Sequence, residues 1–249
     1  MRIIISPAKQ MREDRDTLPP RGLPGFLPET GRLLTALRNL SPAELQKLWK
    51  CNDAIAALNV ERLRTMDLER GLTPALLSYV GIQYQTMAAR VLETGQYEFL
   101  QEHLRILSGF YGLLRPFDGV PPYRLEMQAR LSADGEEDLY AFWGGKLAER
   151  LAEETDCVID LASQEYSRAV KPRLPSSVRW FTCVFGQLRE SRVVEKGTLC
   201  KMARGRMVRW MAAHRIERPE EIRSFGELGY RYSPERSGEL TYVFLKGEA

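Results

Sequence analysis

The sequence predicts an α/β protein: a single domain over residues 1–249, with a mixed sheet wrapped by helices and one helix–hairpin–helix-like element. Three observations carry this expectation. Apolar runs at Arg2–Ser6 and Cys157–Leu161 read as short buried strands. Amphipathic helical stretches alternate with these and other strand-like runs, but without the strict βαβ rhythm of a doubly wound parallel sheet. Neither an internal repeat nor a low-complexity linker divides the chain, and 249 residues with 44% hydrophobic content suffice for one sizeable core.

The elements follow in order. Arg2–Ser6 is stopped by Pro7, and residues 12–28, charged and rich in Pro and Gly, form a long loop. Glu29–Leu40 places Leu33, Leu34, Leu37 and Leu40 on one helical face. Ser41 caps the next helix, with Pro42 at its first position and Glu44 completing a capping box. That helix runs to about Lys50, and Asn52 or Asp53 caps another through Ala54–Leu63. Leu76–Val80 reads as a strand, Gln83–Leu92 and Gln96–His103 as helices, and Leu104–Leu107 as a strand. Ser108–Pro122 holds three Gly and three Pro, too many for regular structure, and Tyr123–Met127 resumes as a strand. A helix over Asp138–Glu154 is interrupted at Gly144-Gly145, and a short helix follows Cys157–Leu161 from Ser163. Arg179–Leu188 and Arg192–Lys201 read as a hairpin, Met202–Arg215 as a basic helix. A short helix from Pro219 precedes a closing hairpin of Tyr230–Ser233 with Leu240–Leu245.

Composition narrows the function classes. No apolar run approaches the roughly 18 residues of a membrane span, and the opening isoleucines are too few for a signal peptide. The expectation is a cytoplasmic protein with no membrane partner. Cys51, Cys157, Cys183 and Cys200 are scattered without a CxxC pair, and only His103 and His214 exist to join them. That argues against a zinc site or disulfide framework, and no metal or cofactor is expected. The net charge of +3 hides a strong sorting by sign. Residues 131–162 carry nine Asp/Glu against two Lys/Arg, whereas residues 163–215 carry twelve Lys/Arg against three Asp/Glu. A basic block suits phosphate-bearing partners through counterion release; two oppositely charged stretches facing each other in the fold explain it equally well.

Several segments bear on chemistry. Ser6-Pro7-Ala8-Lys9 has the Ser-x-x-Lys spacing of serine acylases, but Pro7 keeps Ser6 extended and the companion motifs are missing. Lys9, just past a strand end, is placed to meet a phosphate or carboxylate; a solvated loop lysine fits the same residues. In Gly109-Phe-Tyr-Gly112 with Arg115-Pro116, the third glycine of a dinucleotide fingerprint is absent. Its glycines permit close backbone approach, Arg115 and Arg124 can clamp a phosphate, and Tyr111 and Tyr123 can stack on a base. A proline-stiffened surface loop is the plain alternative. Lys201 and Arg204 share a face of the basic helix, either for a partner or simply for solvent. Leu45–Leu58 joins two helices by a tight turn that resembles a helix–hairpin–helix, although Lys50-Cys51-Asn52 lacks the usual glycines. Asp118, Glu126, Asp160 and Glu165 are the carboxylates near these segments, and no spacing pairs them.

Taken together, Ile4–Lys9, Leu107–Asp118, Pro122–Met127, Asp160–Tyr166 and Lys201–Gly205 resemble, in the same order, the YaaA peroxide-stress family. The resemblance extends to Gly229-Tyr230 and Val243-Phe244, nearly the whole chain. It implies a bacterial cytoplasmic protein that limits free intracellular iron under hydrogen peroxide. It also implies a mixed α/β fold with a basic cleft, a helix–hairpin–helix element and binding to double-stranded DNA. Carried onto this sequence, the cleft residues are Lys9, Arg115, Arg124, Lys171, Lys201 and Arg204, and the hairpin residues Lys50 and Asn52. Phe110, Phe117, Gly119 and Val120 depart from the family's more usual residues, which puts the pocket's shape in question. Two alternatives stay open beside DNA binding. One is an enzyme acting on a phosphorylated or nucleotide-like small molecule in the same cleft. The other is a direct iron-binding protein, which lacks the clustered carboxylates or histidines a hard iron site needs.

Overall fold

A computed structural model describes residues 1–247. The first strand, β1 (Arg2–Ile5), is followed by a short β2 (Gln10–Met11) and the irregular stretch the Pro/Gly content predicts. Helices α1 (Leu27–Arg38), α2 (Pro42–Trp49) and α3 (Asp53–Thr65) come next. Ser41 and Glu44 form the expected capping box on α2, and Asn52 caps α3 by accepting from the Ile55 N–H. Then come β3 (Thr73–Pro74), α4 (Ala75–Ser78), β4 (Tyr79–Val80), α5 (Ile82–Met87) and α6 (Thr94–His103). The central hairpin is β5 (Leu104–Ser108) and β6 (Gly112–Leu114), with β7 (Gly119–Val120) beyond it. Helices α7 (Leu139–Trp143) and α8 (Lys146–Glu154) lead to β8 (Cys157–Leu161) and α9 (Gln164–Ser167). The chain closes with β9 (Arg179–Arg189), β10 (Arg192–Val194), α10 (Gly197–His214), β11 (Tyr230–Tyr232) and β12 (Thr241–Lys246).

The main sheet has eight strands in the order β11-β12-β9-β8-β1-β5-β6, with β10 paired to β9. It is mixed, as predicted, but its five central strands β12, β9, β8, β1 and β5 are all parallel. Antiparallel β6 and β11 flank them. The continuous apolar runs of β1 and β8 suit strands covered on both faces, and Ile3, Ile4, Ile5, Val158, Ile159 and Leu161 are fully buried. From β1 the chain crosses to β5 on one side; from β8 it crosses to β9 on the other. The carboxyl ends of β1 and β8 therefore border a topological switch point, where an α/β sheet opens a crevice.

Four sequence expectations need correction. Leu76–Val80 is not one strand: α4 occupies its first half, because the Ala75 and Leu76 N–H groups are held by the Asp118 and Pro116 carbonyls. Leu76 and Leu77 are both buried, and an apolar run buried all round does not distinguish strand from helix. Ser108–Pro122 does hold regular structure, since Ser108 Oγ accepts from the Phe110 and Tyr111 N–H groups and folds the chain back so that β6 pairs with β5. Gly112, at φ +71, makes that return without the penalty of a side chain. Tyr123–Met127 is not a strand: residues 123–126 have no regular structure and Met127 begins a turn. The β9–β10 hairpin is shorter than expected, because α10 begins at Gly197 and takes over the segment assigned to its second arm.

Candidate functional site

The crevice at the switch point is closed by local contacts that the sequence dictates. Ser6 Oγ, at the end of β1, accepts the Ser163 N–H at 2.7 Å and lies 3.1 Å from Ser163 Oγ, tying the exits of β1 and β8 together. The Tyr84 hydroxyl donates to the Ser6 carbonyl at 2.9 Å. A Cβ on Gly205 would fall 2.0 Å from the Gln83 carbonyl oxygen, so only glycine lets α10 approach α5 this closely. A Cβ on Gly109 would meet the backbone of Leu125–Met127 at 2.9–3.0 Å, so that glycine seats the strip carrying Arg124 and Glu126. These approaches bound a cavity of about 380 Å³ whose charged and amide lining is Lys9, Gln10, Gln83, Arg124, Glu126, Glu165 and the Lys201/Arg204 pair.

Its electrostatics are predominantly cationic. Lys9 Nζ lies 2.8 Å from Glu126 Oε2, and Arg124 Nη2 lies 3.4 Å from the other Glu126 oxygen. Arg124 also donates to the carbonyls of Lys9 and Trp49 at 3.4 and 3.3 Å. Its Nε has no hydrogen-bond partner among the described residues, and neither do Gln83 Nε2 and Arg204 Nε, all three buried. Glu165 accepts the Gln128 N–H at 3.2 Å. Burial first, and then the neighbouring Glu126 charge, push its carboxyl above the usual range against the pull of Lys9. Behind the cavity, burial pushes the Asp160 carboxyl up to about 6, although Ser167, Ala162, Arg204 and Lys171 all favour its charged form. Tyr123 forms part of the cavity floor. Its hydroxyl is bracketed by Ser108 Oγ at 2.5 Å and Tyr79 OH at 2.6 Å, and burial raises it to about 12.

Four of the expected cleft residues converge here: Lys9, Arg124, Lys201 and Arg204. Lys50 lies next to them, lining a second cavity of about 410 Å³ that shares Lys9 and Glu126 with the first. Lys50 is exposed and takes a left-handed conformation at φ 46 between α2 and α3. The other expectations are displaced. Asn52, exposed, caps α3 through Oδ1. Lys171 lies outside the cavity lining, exposed, with Nζ 3.4 Å from Thr182 Oγ1. Arg115 is at the opposite end of the sheet: β6 runs antiparallel to β5, which carries it back toward Arg2, Arg105 and Arg215. Asp118 goes with it, accepting the Arg115 N–H at 2.8 Å. Tyr111 is buried and lines no described cavity, Tyr123 is largely buried and reaches only the cavity lining, and the departures Phe110, Phe117 and Val120 are core residues rather than pocket walls. Gln83 gave no sequence signal, whereas Ser163, at a strand exit, had the same placement that singled out Lys9.

Among the described residues, no group of three or more His, Cys, Asp or Glu side chains is gathered to hold a metal, and no helix is long and apolar enough to cross a membrane. The family model described as "Peroxide stress protein YaaA" matches residues 1–236. The chain belongs to the YaaA peroxide stress family. A UPF0246 protein of Lachnoclostridium phytofermentans is 52% identical over 249 residues, all of this chain and 98% of the relative. UPF0246 proteins of Desulfitobacterium hafniense and Pediococcus pentosaceus are 49% and 46% identical, each covering 100% of this chain and 99% of the relative. The YaaA-family motifs thus acquire physical meanings: Gly109 and Gly205 permit the close approaches that build the cavity, and Lys9, Arg124, Lys201 and Arg204 charge it.

Proposed function

We propose that this YaaA-family chain acts in the peroxide stress response by binding double-stranded DNA across the basic mouth of the cleft. The observation that carries the reading is the convergence of Lys9, Arg124, Lys201 and Arg204 from three separated segments at one end of the sheet. Lys47, Lys50 and Arg130 extend the cationic surface around the adjoining cavity. The α2–α3 hairpin borders that cavity through Trp49 and Lys50, so a helix–hairpin–helix-type contact with backbone phosphates would join the same footprint. Cytoplasmic residence and the limiting of free intracellular iron belong to the same reading, with DNA binding as the upstream event.

A labelled duplex titrated at two ionic strengths tests this. Neutralising phosphates with lysine and arginine releases counterions, so affinity falls steeply with salt. Lys9→Ala and Lys201→Ala should each weaken binding across sequences and lower the salt slope by about one. Salt-insensitive binding, or wild-type affinity in both variants, would overturn the reading.

A further inference from the structure

We propose that the recessed cavity beneath this basic mouth is a binding site for a phosphomonoester on a ligand the size of a nucleoside monophosphate. The inference rests on the basic cleft assigned above and adds the chemical group that enters it. Depth is the first argument. The Arg124 side chain is only 8% exposed, and Gln83 only 7%. A duplex lying across the mouth meets the exposed Lys9 and Lys201 first, and feels the recessed Arg124 mainly through its charge. A terminal phosphate or a free small molecule can enter to that depth.

The donors there are also unspent. Among the described residues, Arg124 Nε, Gln83 Nε2 and Arg204 Nε are buried without an acceptor, although buried polar groups are almost always paired. All three residues line this one cavity, and the exposed Lys201 lies on the same helical face as Arg204. The Ala8 and Lys9 backbone N–H groups, also on the lining, have no acceptor among the described residues. Charge supports a dianion in particular. Four cations line the cavity against two carboxylates, and one of these, Glu126, is already engaged by Lys9 and Arg124. A phosphomonoester carries close to two charges at neutral pH, whereas a backbone diester carries one.

The remaining wall suits what such a phosphate is attached to. Glu165 and Ser163 offer hydroxyl and carboxyl oxygens to sugar hydroxyls or an exocyclic amine, and Val80, Ile82 and Pro7 give apolar surface. The volume of about 380 Å³ falls in the range of small-ligand pockets. A crevice at the carboxyl ends of parallel strands is where α/β sheets hold such ligands. Two sources supply the shared chemistry: a free mononucleotide, and the phosphorylated end of a DNA strand.

Calorimetric titration of the full chain with deoxyadenosine monophosphate and deoxyadenosine tests the site. Anisotropy with one blunt duplex, 5′-phosphorylated or 5′-hydroxylated, distinguishes the sources, and closed circular duplex serves as an end-free control. The mononucleotide should bind at least tenfold more tightly than the nucleoside, and Arg204→Gln and Lys201→Gln should each weaken it at least tenfold. The Lys201 side chain is exposed on α10, so its variant should fold. Preference for the phosphorylated duplex assigns strand ends as a source; equal duplex affinities beside mononucleotide binding assign the free nucleotide. Neither a mononucleotide preference nor a phosphorylated-end preference, or undiminished mononucleotide binding in both variants, overturns the inference. If closed circular DNA still binds with steep salt dependence in that case, the duplex reading stands alone; if it does not, both fall.

Discussion

The Lys9 ammonium lies 2.8 Å from a Glu126 carboxylate oxygen, and these two residues form the wall shared by the two cavities at the sheet's carboxyl end. Glu126 thus neutralises part of the cationic field at the point where a polyanion would approach. Glu126→Gln keeps a carbonyl acceptor for Arg124 while removing one negative charge. Duplex affinity should rise about three- to tenfold at low salt, with a steeper salt dependence. The Lys9 side chain is 64% exposed, so losing its ion pair should itself cost less than about 1 kcal/mol of stability; a larger loss would report the contact with the buried Arg124. Paired anisotropy and urea-unfolding measurements check both numbers; unchanged affinity would place the DNA path away from this wall.

Gly205 sets how closely the helix bearing Lys201 and Arg204 approaches the one bearing Gln83. A Cβ there would lie 2.0 Å from the Gln83 carbonyl oxygen and 2.4 Å from Thr86 Oγ1. Gly205→Ala must therefore push α10 off α5, at a cost of about 1–3 kcal/mol or more from overpacking. Gly197, in the first turn of the same helix, has nothing within 4 Å of its virtual Cβ. Gly197→Ala should be neutral or stabilising by up to about 1 kcal/mol. Urea midpoints of the two variants give the comparison, and similar values would mean that the close approach is not needed.

Much of this fold was legible locally. The Ser41 capping box, the Asn52 cap, the break at Gly144-Gly145 and the two buried strands β1 and β8 all follow from rules acting within a few residues. What failed depended on distant partners. α4 is a helix because carbonyls from Pro116 and Asp118 hold its start, and no local pattern announces that. The candidate site divides in the same way. Lys9 sits at a strand exit that the sequence itself marks. Arg115, by contrast, is expected beside Arg124 as a phosphate clamp on one Gly/Pro-rich segment, yet the return of β6 along β5 carries Arg115 to the other end of the sheet. Arg115→Ala should accordingly leave duplex affinity within about twofold of wild type, while Lys201→Ala lowers it; equal losses would contradict this geometry.

The cysteines are poorly placed for redox sensing despite the family's link to peroxide. Burial raises the Cys157, Cys183 and Cys200 thiols above their ordinary value, and the thiolate is the reactive form. Cys51 is the partly exposed member of the four. Native protein treated with iodoacetamide or hydrogen peroxide at neutral pH should be modified at Cys51 alone on the minutes timescale. Unfolded protein should react at all four. Rapid native modification of Cys183 would show an opening of the sheet's core that these contacts do not provide.

Asp160 gives the fold a pH dependence of definite sign. Its carboxyl is buried beside Cys183 and rises from 3.8 to about 6 in the native state. Below pH 3.8 the group is protonated in both folded and unfolded chains. Between 3.8 and about 6 the native state holds a proton that the unfolded state has released, so the stability this group contributes is lost as pH rises. Asp160→Asn keeps an Oδ1 acceptor for the Ala162 N–H and the Ser167 hydroxyl, which lie 3.0 and 2.8 Å away, and abolishes the titration. Asp118 also rises to about 6, but it is present in both proteins and cancels in their difference. Relative to wild type, the Asp160→Asn variant should therefore gain stability progressively from pH 4 to pH 7, by up to roughly 3 kcal/mol. Urea unfolding of both proteins across that range measures the difference directly. A flat difference would mean that Asp160 titrates as it does in the unfolded chain, with water reaching the carboxylate behind the cavity.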